Sequence, residues 1–353
     1  MTSVALAHDV LGARAGGERV LVALCDAYPD APIHTLLYEP QATFAAFTSR
    51  DIKTSWVHRS SWLRRNYRMT APIAALTFAA KQINADVTVC STSGMSHHVR
   101  TTGAKVVYCH TPSRWLHDRR NYMLGFSLAA RGIAGALGPP LAMLDRRAMR
   151  GADIVVANSR QVAREIEDLF DVEAIVVHPC STMDIDAPTS TIDGLRSGFV
   201  LTPARPLGYK RLDVILHAAS LMPDQLFVQI GDGPHRSDLM RNAPDNVVSL
   251  GSVSDGQLRW AYRHASVVAL SCAEDYGLVP LEAAAHGVHT VAPAERGILD
   301  HAVDQMTTYQ FGSAAALVDV IRNAPRPTGV RDVALLGRQR FVDEMRSIVA
   351  SVA

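Results

Sequence analysis

Short apolar runs alternate with segments of helical periodicity along most of the chain. In the first half, the runs that predict strands lie at 4–8, 33–38, 87–90, 105–110, 154–158 and 175–178. In the second half they lie at 198–202, 226–230, 247–250, 267–270 and 289–293. Strands that alternate with helices are typical of parallel, doubly wound sheets, so the pattern predicts an α/β protein.

A polar, turn-rich segment separates the two series of strands. At 353 residues the chain is long for a single hydrophobic core, so two domains are expected. We predict a first domain over 1–185, a hinge over 186–197 and a second domain over 198–338. The remaining residues, 339–353, predict an amphipathic helix with Phe341, Met345, Ile348 and Val349 on one face.

The composition is that of an ordinary globular protein. The net charge of +1 gives no overall field for binding nucleic acid. Five cysteines, an odd number without metal-binding spacing, argue against a disulfide framework and favour a reducing cytoplasm. The N-terminus enters a strand pattern directly, without the features of a signal peptide. The longest apolar stretch, 125–144, contains Arg131 and Pro139-Pro140, so we do not expect it to span a membrane.

The most informative stretch is 273–287, which follows an apolar run at 266–271. The run predicts a buried parallel strand, and the helix formers before Gly287 predict a short helix. Residues 274–277 would then form a strand-to-helix turn at the carboxyl edge of a sheet, where open α/β folds bind ligands. The backbone N–H groups suited to binding a phosphate at this turn are those of Gly277, Leu278 and Val279.

Two carboxylates, Glu274 and Glu282, flank this turn. Their spacing alone is also typical of two solvated side chains. The intervening residues, however, make the segment resemble the Glu-x7-Glu signature of retaining, nucleotide-sugar-dependent glycosyltransferases of family 4. The resemblance implies the GT-B architecture, in which two Rossmann-like domains face each other across a cleft and the last helix crosses back to the first domain. It also implies that Glu274 holds hydroxyls of the transferred sugar and Glu282 those of the ribose.

Two cations, Arg205 and Lys210, bracket a Pro/Gly loop after the first strand of the second domain. A solvated basic loop is one interpretation. The resemblance implies another, because the family keeps its diphosphate-binding cations at this place, and the intact Tyr-Lys-Arg makes Lys210 the better match. Family chemistry needs no metal, and the Asp184-x-Asp186 pair lies in the predicted hinge. We therefore expect no metal and no cofactor, only a GDP- or UDP-hexose donor as substrate.

The first domain carries two further stretches that resemble the family. Gly16-Gly17 opens the first helix and resembles the glycine loop whose backbone faces the donor diphosphate. The stretch around His110 reads Tyr-Cys-His-Thr-Pro-x-Arg and resembles a motif of mannosyl-type members. This resemblance implies that His110 contacts the transferred sugar. A lone His at a strand end is otherwise most often structural. Where His117 stands the family usually has Trp, and this departure leaves the contacts of that ring open.

The segment 56–68 mixes four Arg with two Trp and has no acid. Aromatic residues with cations are typical of segments that contact an anionic membrane surface, but a basic solvated face is equally consistent with the sequence. With the first interpretation, the protein would be cytoplasmic and bound to the inner face of the membrane.

The resemblance as a whole implies a metal-independent, retaining hexosyltransferase that builds a polysaccharide or glycolipid. GDP-mannose is the first expected donor and a saccharide or lipid-linked molecule the acceptor. A GT-B sugar-nucleotide epimerase and a catalytically silent sugar-nucleotide-binding scaffold remain alternatives. Residues 296–300, Arg-Gly-Ile-Leu-Asp, replace the usual Gly-Gly-x-x-Glu, which leaves the silent alternative open.

Overall fold

The computed structural model describes residues 2–65, 71–117, 128–301 and 303–353. The chain divides into one unit of Met1–Thr182 with Arg338–Ala353 and a second of Met183–Gly337. The predicted boundary at 185 and the separate hinge at 186–197 differ from this division. Met183, Ile185 and Ile192 are buried in the core of the second unit, and this burial attaches the segment to that unit.

The first unit contains a seven-stranded parallel sheet in the order β3-β2-β1-β5-β7-β8-β9. Its strands, together with the separate parallel pair β4-β6, are β1 Val4–His8, β2 Ile33–Thr35, β3 Ile52–Thr54, β4 Gln82–Ile83, β5 Val87–Thr92, β6 Arg100–Thr101, β7 Ala104–Cys109, β8 Ile154–Ala157 and β9 Ile175–Val176. The chain order reverses between β1 and β5. In an open α/β sheet, such a switch point leaves a crevice at the carboxyl ends of the strands.

Helices cover both faces of this sheet. They are α1 Gly16–Ala27, α2 Ser61–Arg65, α3 Ala71–Ala79, α4 Arg114–His117, α5 Leu128–Arg150, α6 Arg160–Phe170 and α12 Arg338–Ala350. Neighbouring strand residues point into different cores: Ala5 and Ala7 into one, Leu6 into the other. Phe341 and Met345 of α12 are buried in the same core as Leu6, so the chain's last helix completes the first unit.

The second unit contains a six-stranded parallel sheet in the order β12-β11-β10-β13-β14-β15. Its strands are β10 Phe199–Pro203, β11 Phe227–Ile230, β12 Val247–Gly251, β13 Ala265–Ala269, β14 Thr290–Pro293 and β15 Met306–Tyr309. Its helices are α7 Leu212–Ser220, α8 Arg236–Arg241, α9 Asp255–His264, α10 Val279–Ala285 and α11 Ala314–Arg322. This strand order is that of a Rossmann fold, with its switch point between β10 and β13.

The prediction of an α/β protein with two Rossmann-like, doubly wound domains is confirmed. Within the described residues, we find no helix whose length and apolar character would let it cross a bilayer.

Candidate functional site

An ion pair lies at the switch point of the second unit. Lys210 follows β10 and Glu274 follows β13, and these strands are neighbours in the sheet. The Lys210 ammonium donates a hydrogen bond to Glu274 Oε1 at 2.6 Å. The two side chains are only 17% and 19% exposed, so the pair is largely shielded from water but still reachable by a ligand. The sheet topology thus brings together two residues that lie far apart in the sequence.

The environment keeps Lys210 charged. Burial by itself would lower the pKa of Lys210, but interactions with Cys272, Glu274 and Tyr209 outweigh burial and raise this pKa above its ordinary value. The Cys272 thiol also donates to Glu274 Oε1 at 3.1 Å, and the Ser271 hydroxyl donates to the Lys210 carbonyl at 2.9 Å. A fixed cation next to a held carboxylate suits a ligand that carries both phosphate and hydroxyl groups.

The turn beside this pair requires glycine. Gly277 has φ +84°, and an added Cβ there would lie 3.2 Å from the Glu274 side chain. Leu278 precedes the seven-residue helix α10, which begins at Val279. The predicted strand, turn and helix are therefore present.

Glu282 lies in the first turn of α10 and is 5% exposed. The Tyr262 hydroxyl of α9 donates to Glu282 Oε2 at 2.9 Å. The ring of Tyr262 stacks on His286, with ring centroids 5.2 Å apart. These contacts hold the carboxylate in one orientation.

Arg205 makes a different contact from Lys210. Its Nε donates to the Asp232 carbonyl at 3.2 Å, so the guanidinium is tied to the turn after β11. The close approach of Gly231 to this segment agrees with that contact, because an added Cβ on Gly231 would lie 3.1 Å from the Ala204 backbone.

The unusual loop at 296–300 packs directly against the Glu274 turn. Gly297 N–H donates to the Glu274 carbonyl at 3.0 Å, and an added Cβ on Gly297 would clash with the Asp275 carbonyl. Arg296 has φ +56°, a left-handed conformation that favours glycine. Its guanidinium pairs with the Asp275 carboxylate, and this pairing helps offset the backbone strain. The turn thus keeps its support although the loop sequence departs from the family pattern.

Two imidazoles meet at the switch point of the first unit. His8 ends β1, Ser91 lies in β5, and His110 directly follows β7. The Ser91 hydroxyl is 2.8 Å from His110 Nε2 and 3.1 Å from His8 Nδ1. Asn158 Nδ2 donates to the His110 carbonyl at 2.7 Å. The predicted position of His110 at the carboxyl edge of a sheet is correct.

His110 is a neutral imidazole at physiological pH. Burial, and then the neighbouring His8, lower the pKa of His110 to about 3, although Asp9 acts in the opposite direction. Burial also lowers the pKa of His8. His110 can therefore contact a ligand through a hydrogen bond or its ring dipole, but it does not carry a positive charge.

Gly17 lies beside these rings. A Cβ added to Gly17 would be 3.8 Å from both His110 and His8, an ordinary contact distance. The protein's own packing therefore does not demand glycine at this position, so the open space is available to a ligand. Gly16 and Gly17 begin α1, as predicted.

Part of the aromatic and basic segment 56–68 is exposed. The exposed fractions are 56% for Trp56 and 54% for Trp62, and Arg59 is also exposed. Arg64 differs from the expectation of a free cation, because its Nε lies 2.7 Å from Glu39 Oε1. The side chain of Arg65 and residues 66–68, which complete the predicted segment, lie outside the described residues.

Sequence reasoning did not identify the residues that contact the predicted site residues. These are His8 and Ser91 near His110, and Tyr262 at Glu282. His8 and Ser91 could have been noticed as polar residues at the carboxyl ends of apolar strands. Tyr262 carries no such signal, because a tyrosine on a helix has many structural uses.

Models of two glycosyltransferase families match the chain, one in each unit. "Glycosyltransferase Family 4" matches residues 14–181, and "Glycosyl transferases group 1" matches residues 198–324. A D-inositol 3-phosphate glycosyltransferase of Mycolicibacterium smegmatis is 31% identical over an alignment of 217 residues, and the match covers 54% of this chain and 48% of that protein. The protein of the same name from Mycolicibacterium vanbaalenii is 30% identical over 223 residues, again 54% and 48% of the two chains. The chain spans about half the length of the curated relatives it matches.

Solved structures share the fold over the whole chain. Anabaena Alr3699/HepE, crystallised in complex with UDP-glucose, has a TM-score of 0.64 at 16% identity and covers 99% of this chain and 98% of its own. Sucrose-phosphate synthase from Thermosynechococcus elongatus has a TM-score of 0.65 at 16% identity and covers 99% and 94%.

Proposed function

We propose that this chain, whose two units each match a glycosyltransferase family model, transfers a hexose from a nucleotide sugar to an acceptor. The observation that carries the proposal is the Lys210–Glu274 pair at a Rossmann switch point, beside the Gly277 turn. A diphosphate needs a fixed cation, and a sugar needs a fixed acceptor of hydrogen bonds. The Lys210 ammonium and the Glu274 carboxylate provide these two groups side by side.

Binding of the donor would redistribute the contacts of this pair. The diphosphate would take over the Lys210 ammonium, and the Glu274 carboxylate would then accept hydrogen bonds from the sugar hydroxyls. Arg205 and the N–H groups of 277–279 would supply further donors to the phosphates. Glu282, held by Tyr262, would accept from the ribose hydroxyls. In the first unit, the proposed donor contacts are Gly16, Gly17 and His110.

We propose that the transfer retains the anomeric configuration. The acceptor hydroxyl forms a bond to the anomeric carbon, the bond from that carbon to the diphosphate breaks, and the hydroxyl proton passes to the leaving phosphate oxygen. Lys210 stabilises the negative charge that develops on this oxygen. Neutral His110 would orient the sugar through a hydrogen bond. Its Nε2 faces Ser91, so Nδ1 is the nitrogen that we assign to the sugar.

GDP-mannose is the donor that we propose first, because the motif around His110 resembles that of mannosyl-type members. UDP-glucose is the natural comparison, since the fold relative from Anabaena was crystallised with it. As acceptor we propose a saccharide or a lipid-linked molecule of polysaccharide or glycolipid synthesis. The names of the curated relatives add an inositol phosphate to the acceptors that should be tested.

A donor screen by thermal unfolding tests this proposal. A nucleotide sugar that binds the folded chain raises its unfolding temperature by mass action, in proportion to the logarithm of the ligand concentration. We expect GDP-mannose or UDP-glucose to raise it, and free mannose to leave it unchanged. If no nucleotide or nucleotide sugar stabilises the chain, the proposal fails. Binding without transfer would favour a silent scaffold, and conversion of the donor sugar without an acceptor would favour an epimerase.

Metal independence is a separate prediction. Activity should persist in EDTA, because Lys210, Arg205 and backbone N–H groups would do the work that Mg²⁺ does in other transferases. The measurement is the initial transfer rate immediately after EDTA is added, compared with the rate in Mg²⁺ or Mn²⁺. An immediate loss that Mg²⁺ or Mn²⁺ restores would show that the diphosphate needs a metal.

Attachment to anionic membranes is predicted from the exposed part of 56–68. Trp56, Trp62 and Arg59 are exposed, and Leu76 of α3 is 62% exposed. Each cation near an anionic bilayer contributes about 1 kcal/mol, and salt screens this attraction. The chain should therefore float with anionic liposomes at low salt, and less at high salt. Neutral liposomes should bind it weakly.

Variants sharpen the flotation experiment. Trp62→Ser with Arg59→Glu should abolish flotation. Arg64→Glu is a weaker test, since Arg64 is paired with Glu39. Arg322→Glu makes the same charge change at an exposed position of the second unit and should float like the wild type. If the double variant floats as well as Arg322→Glu, the segment is only a solvated face.

A further inference from the structure

A buried cluster of three imidazoles surrounds the carboxylate of Asp145. His97 and His98 lie in a short 3-10 helix after β5, His117 ends α4, and Asp145 lies on α5. His97 Nε2 and His98 Nε2 are each 2.9 Å from Asp145 Oδ1, and His117 Nε2 is 2.7 Å from Oδ2. The side chains of Asp145 and His98 are 1% exposed and that of His97 is 2% exposed. The glycosyl transfer proposed above assigns no role to this cluster.

Within the part of the chain that the structure describes, two nitrogen atoms of the cluster have no hydrogen-bond partner. His97 Nε2 is buried and, although close to Asp145 Oδ1, does not have the geometry of a hydrogen bond to it. His98 Nδ1 is also buried without a partner among the described residues. Buried polar atoms are normally satisfied, and a bound ion is one way of satisfying them. A lone pair on His97 Nε2 would face the carboxylate unfavourably unless a cation lay between them.

The other contacts orient the cluster. His97 Nδ1 is 3.2 Å from the Thr92 hydroxyl, so its Nε2 is the nitrogen that faces Asp145. Asp145 Oδ1 lies close to both His97 and His98, and its other oxygen, Oδ2, is held by His117.

We propose that His97, His98 and Asp145 bind one divalent transition-metal ion, with Zn²⁺ as the first choice. The three ligand atoms lie within 4.8 Å of one another, and bonds to zinc of about 2.0–2.2 Å fit between atoms so placed. Two imidazoles and a carboxylate suit zinc and its neighbours rather than Mg²⁺ or Ca²⁺. His117, on the second carboxylate oxygen, is the residue that positions Asp145.

The ion would have a structural role. It would tie the turn after β5 to the C-terminal half of α5, with α4 held through His117. His117 is 13% exposed, more than the other members of the cluster, and so marks the side from which an ion can enter. The transfer reaction proposed above routes no step through this ion, so the site is compatible with a transfer that needs no metal.

The experiment uses the whole chain after treatment with a chelator, and ZnCl₂ alone as the probe. We expect one Zn²⁺ per chain by elemental analysis after gel filtration. We also expect the unfolding temperature to rise with zinc. Co²⁺ in place of Zn²⁺ should give visible absorption bands of low-symmetry coordination, a signal that does not depend on stability or on transferase activity. A failure here therefore leaves the donor screen unaffected.

Three variants of the cluster and one control variant decide the assignment. Asp145→Asn and His97→Gln should lose the zinc and its thermal shift, while His235→Gln, an exposed histidine in the second unit, should keep both. His117→Gln should weaken zinc binding by about 10- to 100-fold, because it removes only a positioning contact. This variant carries the test if the buried variants fail to fold. The proposal is overturned if the wild type takes up no zinc, or if His117→Gln binds zinc as tightly as His235→Gln.

Discussion

Replacing Lys210 with Ala should lower kcat/KM for glycosyl transfer by about 30- to 1,000-fold, which corresponds to about 2–4 kcal/mol of transition-state stabilisation. The ammonium is held 2.6 Å from Glu274 and is only 17% exposed, so its charge is poorly screened by water. In the variant, the diphosphate would lose its interaction with this ammonium. It would also be repelled by the Glu274 carboxylate, whose charge the ammonium would no longer balance. Steady-state kinetics with the donor identified in the screen provide the measurement.

One control and one companion variant separate catalysis from stability. Lys53→Ala removes an exposed lysine of the first unit, paired with Asp51 at 3.6 Å, and should leave kcat/KM unchanged. Glu274→Gln keeps a hydrogen-bond acceptor but loses the charge, so it should impair sugar positioning while Lys210 remains available to the phosphates. Thermal unfolding of each variant shows whether the fold is intact. A Lys210→Ala enzyme with wild-type turnover would contradict the role that we assign to Lys210.

The sequence predicted all the strands of the sheet interiors and the two edge strands β9 and β12. Interior strands are covered on both faces and read as continuous apolar runs, as at β5, β7 and β13. The missed strands β3 and β15 each form one edge of a sheet, and they mix polar with apolar residues because they are partly exposed. The short pair β4-β6, which lies outside both large sheets, was missed as well. The predicted hinge at 186–197 was polar enough to look like a linker, but Ile192 within it and Ile185 just before it are buried in the core of the second unit.

The sequence predicts which site residues lie together where the strand order of the sheet alone brings them close. Residues that follow β10 and β13 must lie near each other in a Rossmann sheet, so Lys210 and Glu274 could be associated from the sequence. The direct ion pair between them could not, because it depends on side-chain conformations. The pairing of Arg64 with Glu39 could not be predicted for a similar reason, because Glu39 lies outside the segment 56–68.

Glu282→Gln should weaken the binding of free nucleotide by about 10- to 100-fold, because hydrogen bonds to a charged group contribute about 1.5–3 kcal/mol. Glu282 is 5% exposed and is oriented by the Tyr262 hydroxyl at 2.9 Å. Gln keeps nearly the same shape and can still accept from Tyr262, so the loss would report on the charge rather than on packing. Titration calorimetry with free GDP and with free UDP measures the change.

Tyr262→Phe is the matched variant for this prediction. It leaves the Glu282 carboxylate in place but removes the hydroxyl that orients it, so nucleotide affinity should fall less than in Glu282→Gln. Free mannose carries no ribose, so any weak binding of it should not change in either variant. Because the ribose is common to GDP and UDP, both nucleotides should be affected to a similar extent. Equal nucleotide affinity in wild type and Glu282→Gln would mean that the ribose binds elsewhere, and that the buried carboxylate only anchors α10 to α9.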